Sequence, residues 1–229
     1  MKLSIPLVYE TSLYLAVLFD SPRQITSIIP RLIPDLYLTP SSTPENRLPT
    51  IIISLLHHLV SAYPSQRAFH QHLGSLPSSF LPADSNAHTW ISSLSSSMRS
   101  HNYVKFEELT RPPAFSRFVE VESSLASLSI SPQSSYDLVK KALFSLVGAL
   151  REKARETTWS VIRSAYRELS CQTEAEGTRN WLTRSLALHS VIPDSNCVSV
   201  DEWLENQSRL GHVRPKDGVE GRWIVCKVR

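Results

Sequence analysis

Glycine is scarce in this chain, at six residues in 229. Phosphate-cradling loops and doubly wound nucleotide folds draw on glycine at their tight turns, so both are poor fits. Cysteine is scarcer still. Cys171, Cys197 and Cys226 are too scattered for a zinc ribbon, and their odd number argues against a disulfide framework. That usage suits a reducing compartment. No run approaches the roughly eighteen apolar residues of a membrane-crossing helix. Glu10 interrupts the weakly signal-like start of the chain, and no small-residue cleavage site follows it, so a buried first helix is expected there. Neither charge sign dominates: 24 Lys and Arg stand against 21 Asp and Glu. Such a balance permits nucleic-acid contact without demanding it. The sequence also lacks a G-x-S-x-G elbow, a P-loop, an H-E-x-x-H and a C-x-x-C. Its acidic pairs, Glu107-Glu108 and Asp201-Glu202, are adjacent rather than opposed and read as solvated helix charge. The expectation is a non-enzyme with no cofactor, no metal and no small-molecule substrate.

What the chain does have is apolar periodicity cut by proline. Hydrophobic residues make up 41% and charged residues 20%, a composition that supports a packed core. Tyr14, Leu15, Val17 and Leu18 predict a helix ended by Asp20, Ser21 and Pro22. Ile25, Ile28, Ile29 and Leu32 repeat at helical spacing as far as Pro34. Pro40, Pro44 and Pro49 mark a surface loop over 36–49. Ile51-Ile52-Ile53 alone suits a strand, but Leu55, Leu56, Leu59 and Val60 extend it as a helix to Pro64. Asp84 is the expected cap of a serine-rich helix carrying Trp90, Ile91, Leu94 and Met98. Two short helical units follow, one with Tyr103, Phe106 and Leu109, the next with Phe115, Phe118 and Val119. This succession resembles the stacked helices of a solenoid, without a formal repeat. A serine-rich loop is expected over 123–135, with Pro132 opening the clearest helix, built on Tyr136, Val139, Leu143, Leu146, Val147 and Leu150. The helical pattern resumes over 157–169, and 152–156 reads equally as a break or a continuation.

The last seventy residues change character. Trp181 to Leu188 reads as a helix, and Val191-Ile192 and Cys197-Val198 as short pairing segments. Ser199 and Glu202 form a capping box for a helix that Gly211 stops. Two extended segments then follow, His212–Arg214 and Arg222–Val228, with Lys216-Asp217-Gly218 in the turn and Gly221 closing it. Three helices and a β-hairpin make a winged helix. The expected architecture is an all-α helical solenoid over 1–150 and a winged-helix domain with a small β-hairpin over 151–229.

Four histidines, His57, His58, His70 and His72, invite a metal reading, but no Cys or carboxylate cluster nearby completes a tetrahedral set. Basic residues carry more information. Arg209, Arg214, Lys216, Arg222, Lys227 and Arg229 face only Asp217 and Glu220 within 209–229, a local excess of four charges. A wing and its preceding helix present such charges to a phosphate backbone. Trp223 is a candidate for base stacking beside them, whereas Trp159, Trp181 and Trp203 sit on apolar stripes and read as core. The helix before the wing begins with Asp201, Glu202 and Glu205, which would repel DNA, so base-specific readout is disfavoured.

Three stretches resemble the Sac3/GANP family, whose domain is related to the PCI-type helical solenoid ending in a winged helix. In Trp90–Leu109 the positions Asn102, Tyr103, Phe106 and Leu109 follow the family's pattern after its helix, with Glu107 where an aromatic is often found. In Leu150–Tyr166, Arg155, Ile162, Ala165 and Tyr166 match a family helix. The third stretch runs from Leu186 to Arg229, where a helix ending Leu-Gly-His-Val leads into the wing. The resemblance covers about 84–229 and rests on apolar and aromatic spacing. It implies a PCI-like fold and a non-catalytic scaffold in a nuclear mRNA export or processing complex of TREX-2-like type. Its implied partners are a second PCI-domain protein, a small acidic Sem1-type subunit and RNA or DNA backbone, with no membrane. Nuclear localisation, at the pore or away from it, follows from the same resemblance, with cytoplasm as the alternative. A proteasome-lid-like or initiation-factor-like subunit without a nucleic-acid role is the alternative function.

Overall fold

The computed structural model of the chain describes residues 5–38, 47–119, 133–172, 176–191 and 197–227. These are mostly helical, with one small three-stranded antiparallel sheet. The chain packs as two units, the first taking Met1–Ser96 and Leu109–Leu150, the second Ser97–Glu108 and Arg151–Arg229.

The first unit opens with α1 (Ile5–Leu18) and α2 (Pro22–Pro30), the latter with proline at its start, where a missing N–H costs nothing. Irregular turns carry the chain on to Leu38. The inner face of α1 holds Leu13, Tyr14, Ala16 and Val17, together with a buried carboxylate, Glu10. Tyr37 donates its hydroxyl to Glu10 Oε1 at 2.7 Å, and Tyr14 shares a hydrogen bond with Thr50. Burial and the Glu10 charge push both phenols well above their ordinary range.

Helix α3 (Arg47–Ser61) is the centre of this unit, with every residue from Pro49 to His57 buried. Burial on all sides overrides the strand preference of its three isoleucines. Pro49 lies in its first turn, not in the loop expected over 36–49; residues 39–46 of that loop lie outside the described residues. A short helix that apolar spacing did not signal, α4 (Arg67–Ser75), packs on α3 with only Phe69 buried. Ser85, rather than Asp84, caps α5 (Asn86–Arg99), its Oγ accepting the His88 N–H at 3.1 Å. Packing holds this serine-rich helix. Trp90 meets Phe115 and Phe118 and donates its indole N–H to Leu109 O at 2.9 Å. The chain then passes through α6 (Tyr103–Leu109), which belongs to the second unit except for its last residue, and returns with α7 (Pro112–Phe115) and the long α8 (Gln133–Ala165), whose residues to Leu150 belong to the first. Phe144 of α8 packs edge-on against Phe115. The serine-rich stretch at 120–132 and its Pro132 lie outside the described residues, and Ser134 and Ser135 are already within α8.

In the second unit α8 runs unbroken through 152–156. Apolar periodicity misses this continuity because the inward positions there include arginines. Arg151 is 2% exposed, and its Nη2 donates to Ala187 O at 3.2 Å and His189 O at 3.0 Å. Arg155 donates from Nε to Leu186 O at 2.8 Å and from Nη2 to Ala187 O at 2.9 Å. Those carbonyls lie just beyond α9 (Glu176–Ser185), whose last carbonyls are taken by the N–H groups of Leu186, Ala187 and Leu188, so the two guanidiniums clamp the segment that leaves the helix.

A strand, β1 (Glu168–Ser170), stands where the sequence pattern predicted continued helix. After it come α9, α10 (Val200–Arg209), β2 (Val213–Pro215) and β3 (Arg222–Val225). The strands lie in the order β1-β3-β2, all antiparallel. The anticipated hairpin is therefore two-thirds of a sheet. No strand forms at Cys197-Val198, and 192–196 lie outside the described residues. Ser199 caps α10 by accepting the Glu202 N–H at 3.1 Å. Gly211, at φ +73°, ends it with bonds from Gly211 N to Ser208 O and from His212 N to Gln207 O, both 2.9 Å. The core of this unit gathers Trp159, Ile162, Leu169, Leu182, Leu204 and Val225. Cys171, buried within it, has its thiol pushed up to about 11 by burial, which leaves it unreactive.

Candidate nucleic-acid interface

The sheet register sorts the candidate residues onto two faces. On β3, Trp223 and Val225 point one way, Arg222 and Ile224 the other, because side chains alternate along a strand. Val213 pairs with Val225 and Leu169 with Trp223, and all four join the core or pack against it. Trp223 therefore packs inward. Its ring is half-buried against the core instead of standing open as a stacking platform. The outer face carries Glu168, Arg214 and Ile224 in one row, with Ser170 opposite Arg222 in the next.

The basic residues separate into a neutralised pair and an open set. Lys216 Nζ lies 3.1 and 3.2 Å from the two carboxylate oxygens of Glu168, and Arg222 Nη1 lies 3.5 Å from one of them. These are half-exposed ion pairs, each contributing little to stability. Their effect on charge is larger. Counting Glu168 lowers the local excess from four to three, and it withdraws the two cations nearest the turn. Arg214 and Lys227 are exposed and have no ion pair among the described residues; Arg209 is also exposed, its Nη1 reaching Asn206 Oδ1 at 3.2 Å. Arg229 lies outside the described residues.

Two arginines that the C-terminal count missed lie at the same end, Arg163 half-buried and Arg167 exposed. Arg163, near the end of α8, donates from Nε and Nη2 to Cys226 O at 3.2 and 3.1 Å. Its charge, after burial, helps hold the His212 imidazole below its ordinary range. Arg167 is exposed, and its carbonyl accepts the Val225 N–H at 2.9 Å, which fixes it at the Lys227 end of β3. The run Arg163-Ser164-Ala165-Tyr166-Arg167 carries the available signal: basic residues four apart where helix gives way to strand. The open cations thus cluster at the Val225 end of the sheet, while the turn end is neutralised.

The leading end of α10 is acidic. Asp201 pairs with Arg179, which also donates to Cys171 O at 2.6 Å, while Glu202 and Glu205 remain exposed. Trp203 packs edge-on against Trp159 at 6.2 Å between centroids, beneath the Arg155 guanidinium. Both tryptophans serve packing.

Away from this site, His57, His58 and His72 stack in sequence, with centroids 5.8 and 4.7 Å apart, and Ser54 Oγ lies 2.9 Å from His72 Nε2. His70 is exposed and packs against Phe69. Among the described residues no three His, Cys, Asp or Glu side chains are arranged to hold a metal ion. No helix of the described residues is long and apolar enough to cross a membrane. No protein-family model and no characterised protein matches the chain.

Proposed function

We propose that this chain is a non-catalytic scaffold subunit with a PCI-like helical solenoid and a terminal winged helix. In this reading it serves a nuclear mRNA export or processing complex of TREX-2-like type. It docks against a second PCI-domain protein and a small acidic Sem1-type subunit, and it touches RNA or DNA backbone weakly and without sequence preference. The observation that carries the reading is the element order of the second unit: helix, strand, two helices, then two strands, with the last strand central. That is the order of a winged helix, and it follows a mostly helical first unit. The cations at the Val225 end of the sheet supply the phosphate contacts, and the acidic start of α10 keeps that helix out of a DNA groove.

Two experiments test the reading. Affinity purification from the native cells recovers a second PCI-type subunit with RNA-associated proteins; recovery of proteasome or initiation-factor subunits assigns the alternative function. In a titration against single-stranded RNA, Arg214→Glu with Lys227→Glu weakens binding and lowers the salt slope by about one for each phosphate the protein no longer touches. Unchanged affinity and slope remove the nucleic-acid role.

A further inference from the structure

Helix α1 carries its charge on the wrong side for a surface helix. The only charged residue in Ile5–Leu18 is Glu10, which is buried. The side facing water is apolar: Ile5 is 64% exposed, Val8 47%, Leu15 41% and Phe19 80%. Phe19 keeps the helical register, since its N–H donates to Leu15 O at 2.9 Å. With Ser12 these residues form the series 5, 8, 12, 15, 19, whose alternating steps of three and four are those of a coiled-coil seam. The four apolar side chains leave roughly 400 Å² open, the size of the largest patch on a typical monomer and often functional.

We propose that this seam pairs α1 with α1 of a second copy, antiparallel about a two-fold axis at Ser12. Three observations favour a second copy over a different partner. The series is close to symmetric about Ser12, so antiparallel pairing sets Val8 against the partner's Leu15 and Ile5 against the partner's Phe19, the self-complementarity an isologous contact requires. The exposed seam carries no charge that would select a complementary charged partner. Ser12 Oγ donates to Val8 O at 2.8 Å, so its hydroxyl is satisfied within the helix and a small residue stands at the crossing point, ready for a dry contact. With the half-buried Tyr9 and Leu18 at the rim, two copies bury roughly 1,000 Å², the low end for a specific interface. The dimer is accordingly weak, with Kd on the order of 10–100 µM.

Sedimentation equilibrium of the full chain, from about 2 to about 200 µM, reads the weight-average mass. The mass rises from monomer toward dimer, and Val8→Lys or Leu15→Lys weakens association more than about tenfold by placing an unpaired charge in the seam. Both positions are exposed, so each variant keeps the folded circular-dichroism spectrum. In a Cys197→Ser, Cys226→Ser background, Ser12→Cys cross-links through a short bis-maleimide, and Thr26→Cys, on α2, does not. A chain that stays monomeric throughout overturns the proposal. So does association that both lysine variants leave unchanged, or equal cross-linking at positions 12 and 26. Monomers whose uptake by phosphatidylcholine vesicles is lost in the lysine variants would assign the seam to lipid instead.

Discussion

Replacing Arg151 with methionine tests the clamp at the end of α9. The guanidinium is 2% exposed and holds two carbonyls, Ala187 O and His189 O. A hydrogen bond from a charged donor contributes about 1.5–3 kcal/mol, and removing it leaves a buried acceptor bare. Two effects reduce the loss. Methionine recovers the cost of burying a charge, and Ala187 O keeps its second donor, Arg155 Nη2 at 2.9 Å. The net expectation is a loss of about 2 kcal/mol. Arg155→Met costs a similar amount, since it strips Leu186 O and removes the cation from above Trp203. The double variant loses about 1 kcal/mol more than the sum, because only then does Ala187 O lose both donors. Urea unfolding followed by tryptophan fluorescence suits this unit, since Trp159, Trp181, Trp203 and Trp223 all lie in it. A loss below about 0.5 kcal/mol for Arg151→Met, with strict additivity in the double variant, would refute the clamp.

Three further outcomes follow from named geometry. Gly221→Ala is costly, at about 2–4 kcal/mol, because a Cβ there would meet Gln172 Cα at 2.8 Å and its N at 3.0 Å. Gly218→Ala has the same left-handed φ but open space, so thermal unfolding should show only about 1 kcal/mol of strain. His57 and His72 are held down to about 4 by burial and by His58, against which Asp20 pulls His57 upward only weakly; His58 is itself lowered by burial. Between pH 6.5 and about 4 the unfolded chain binds more protons than the fold, so stability falls as pH falls through that window and is level above it. After solvent screening the slope is at most about 1 kcal/mol per pH unit for each imidazole, and His57→Leu reduces it in urea titrations followed by circular dichroism. A slope unchanged by that substitution contradicts the burial argument. Glu168→Gln frees Lys216 and Arg222; under the proposed function, affinity for single-stranded RNA at low salt rises and the salt slope steepens by about one, with stability changed by less than about 1 kcal/mol. An unaltered slope means the turn end of the sheet lies away from the phosphates.

Local chemistry was legible from sequence where it was complete within a few residues. Ser199 with Glu202 and Gly211 as a helix stop need no distant partner, and the turn from Lys216 to Gly221 carries its own local bonds from Val219 N to Lys216 O and from Arg222 N to Val219 O. Strand β1 could not be read this way. Its three residues are too few to alternate, and they are extended because they pair with β3, with Glu168 opposite Ile224. The same distance hid Glu168 from a charge count confined to the C-terminal residues. Continuity of α8 through 152–156 was obscured by inward-facing arginines, since a pattern of apolar positions cannot see a polar side chain satisfied by carbonyls of the segment that follows α9. Helix α4 contributes one buried residue, Phe69, and so leaves no periodic trace.

The discontinuity of the second unit has a consequence for synthesis on the ribosome. Ser97–Glu108 is made well before the rest of that unit, and Glu108 meets its ion-pair partner Arg184 across 76 residues. At roughly 5–20 residues per second, the segment waits about 4–15 seconds for that partner to be polymerised. Until the chain reaches Arg151, Phe106, buried in the finished chain, has none of its own unit's later core to pack against. Nascent chains stalled before Arg151 should therefore be more readily engaged by chaperones at 97–108 than the completed protein.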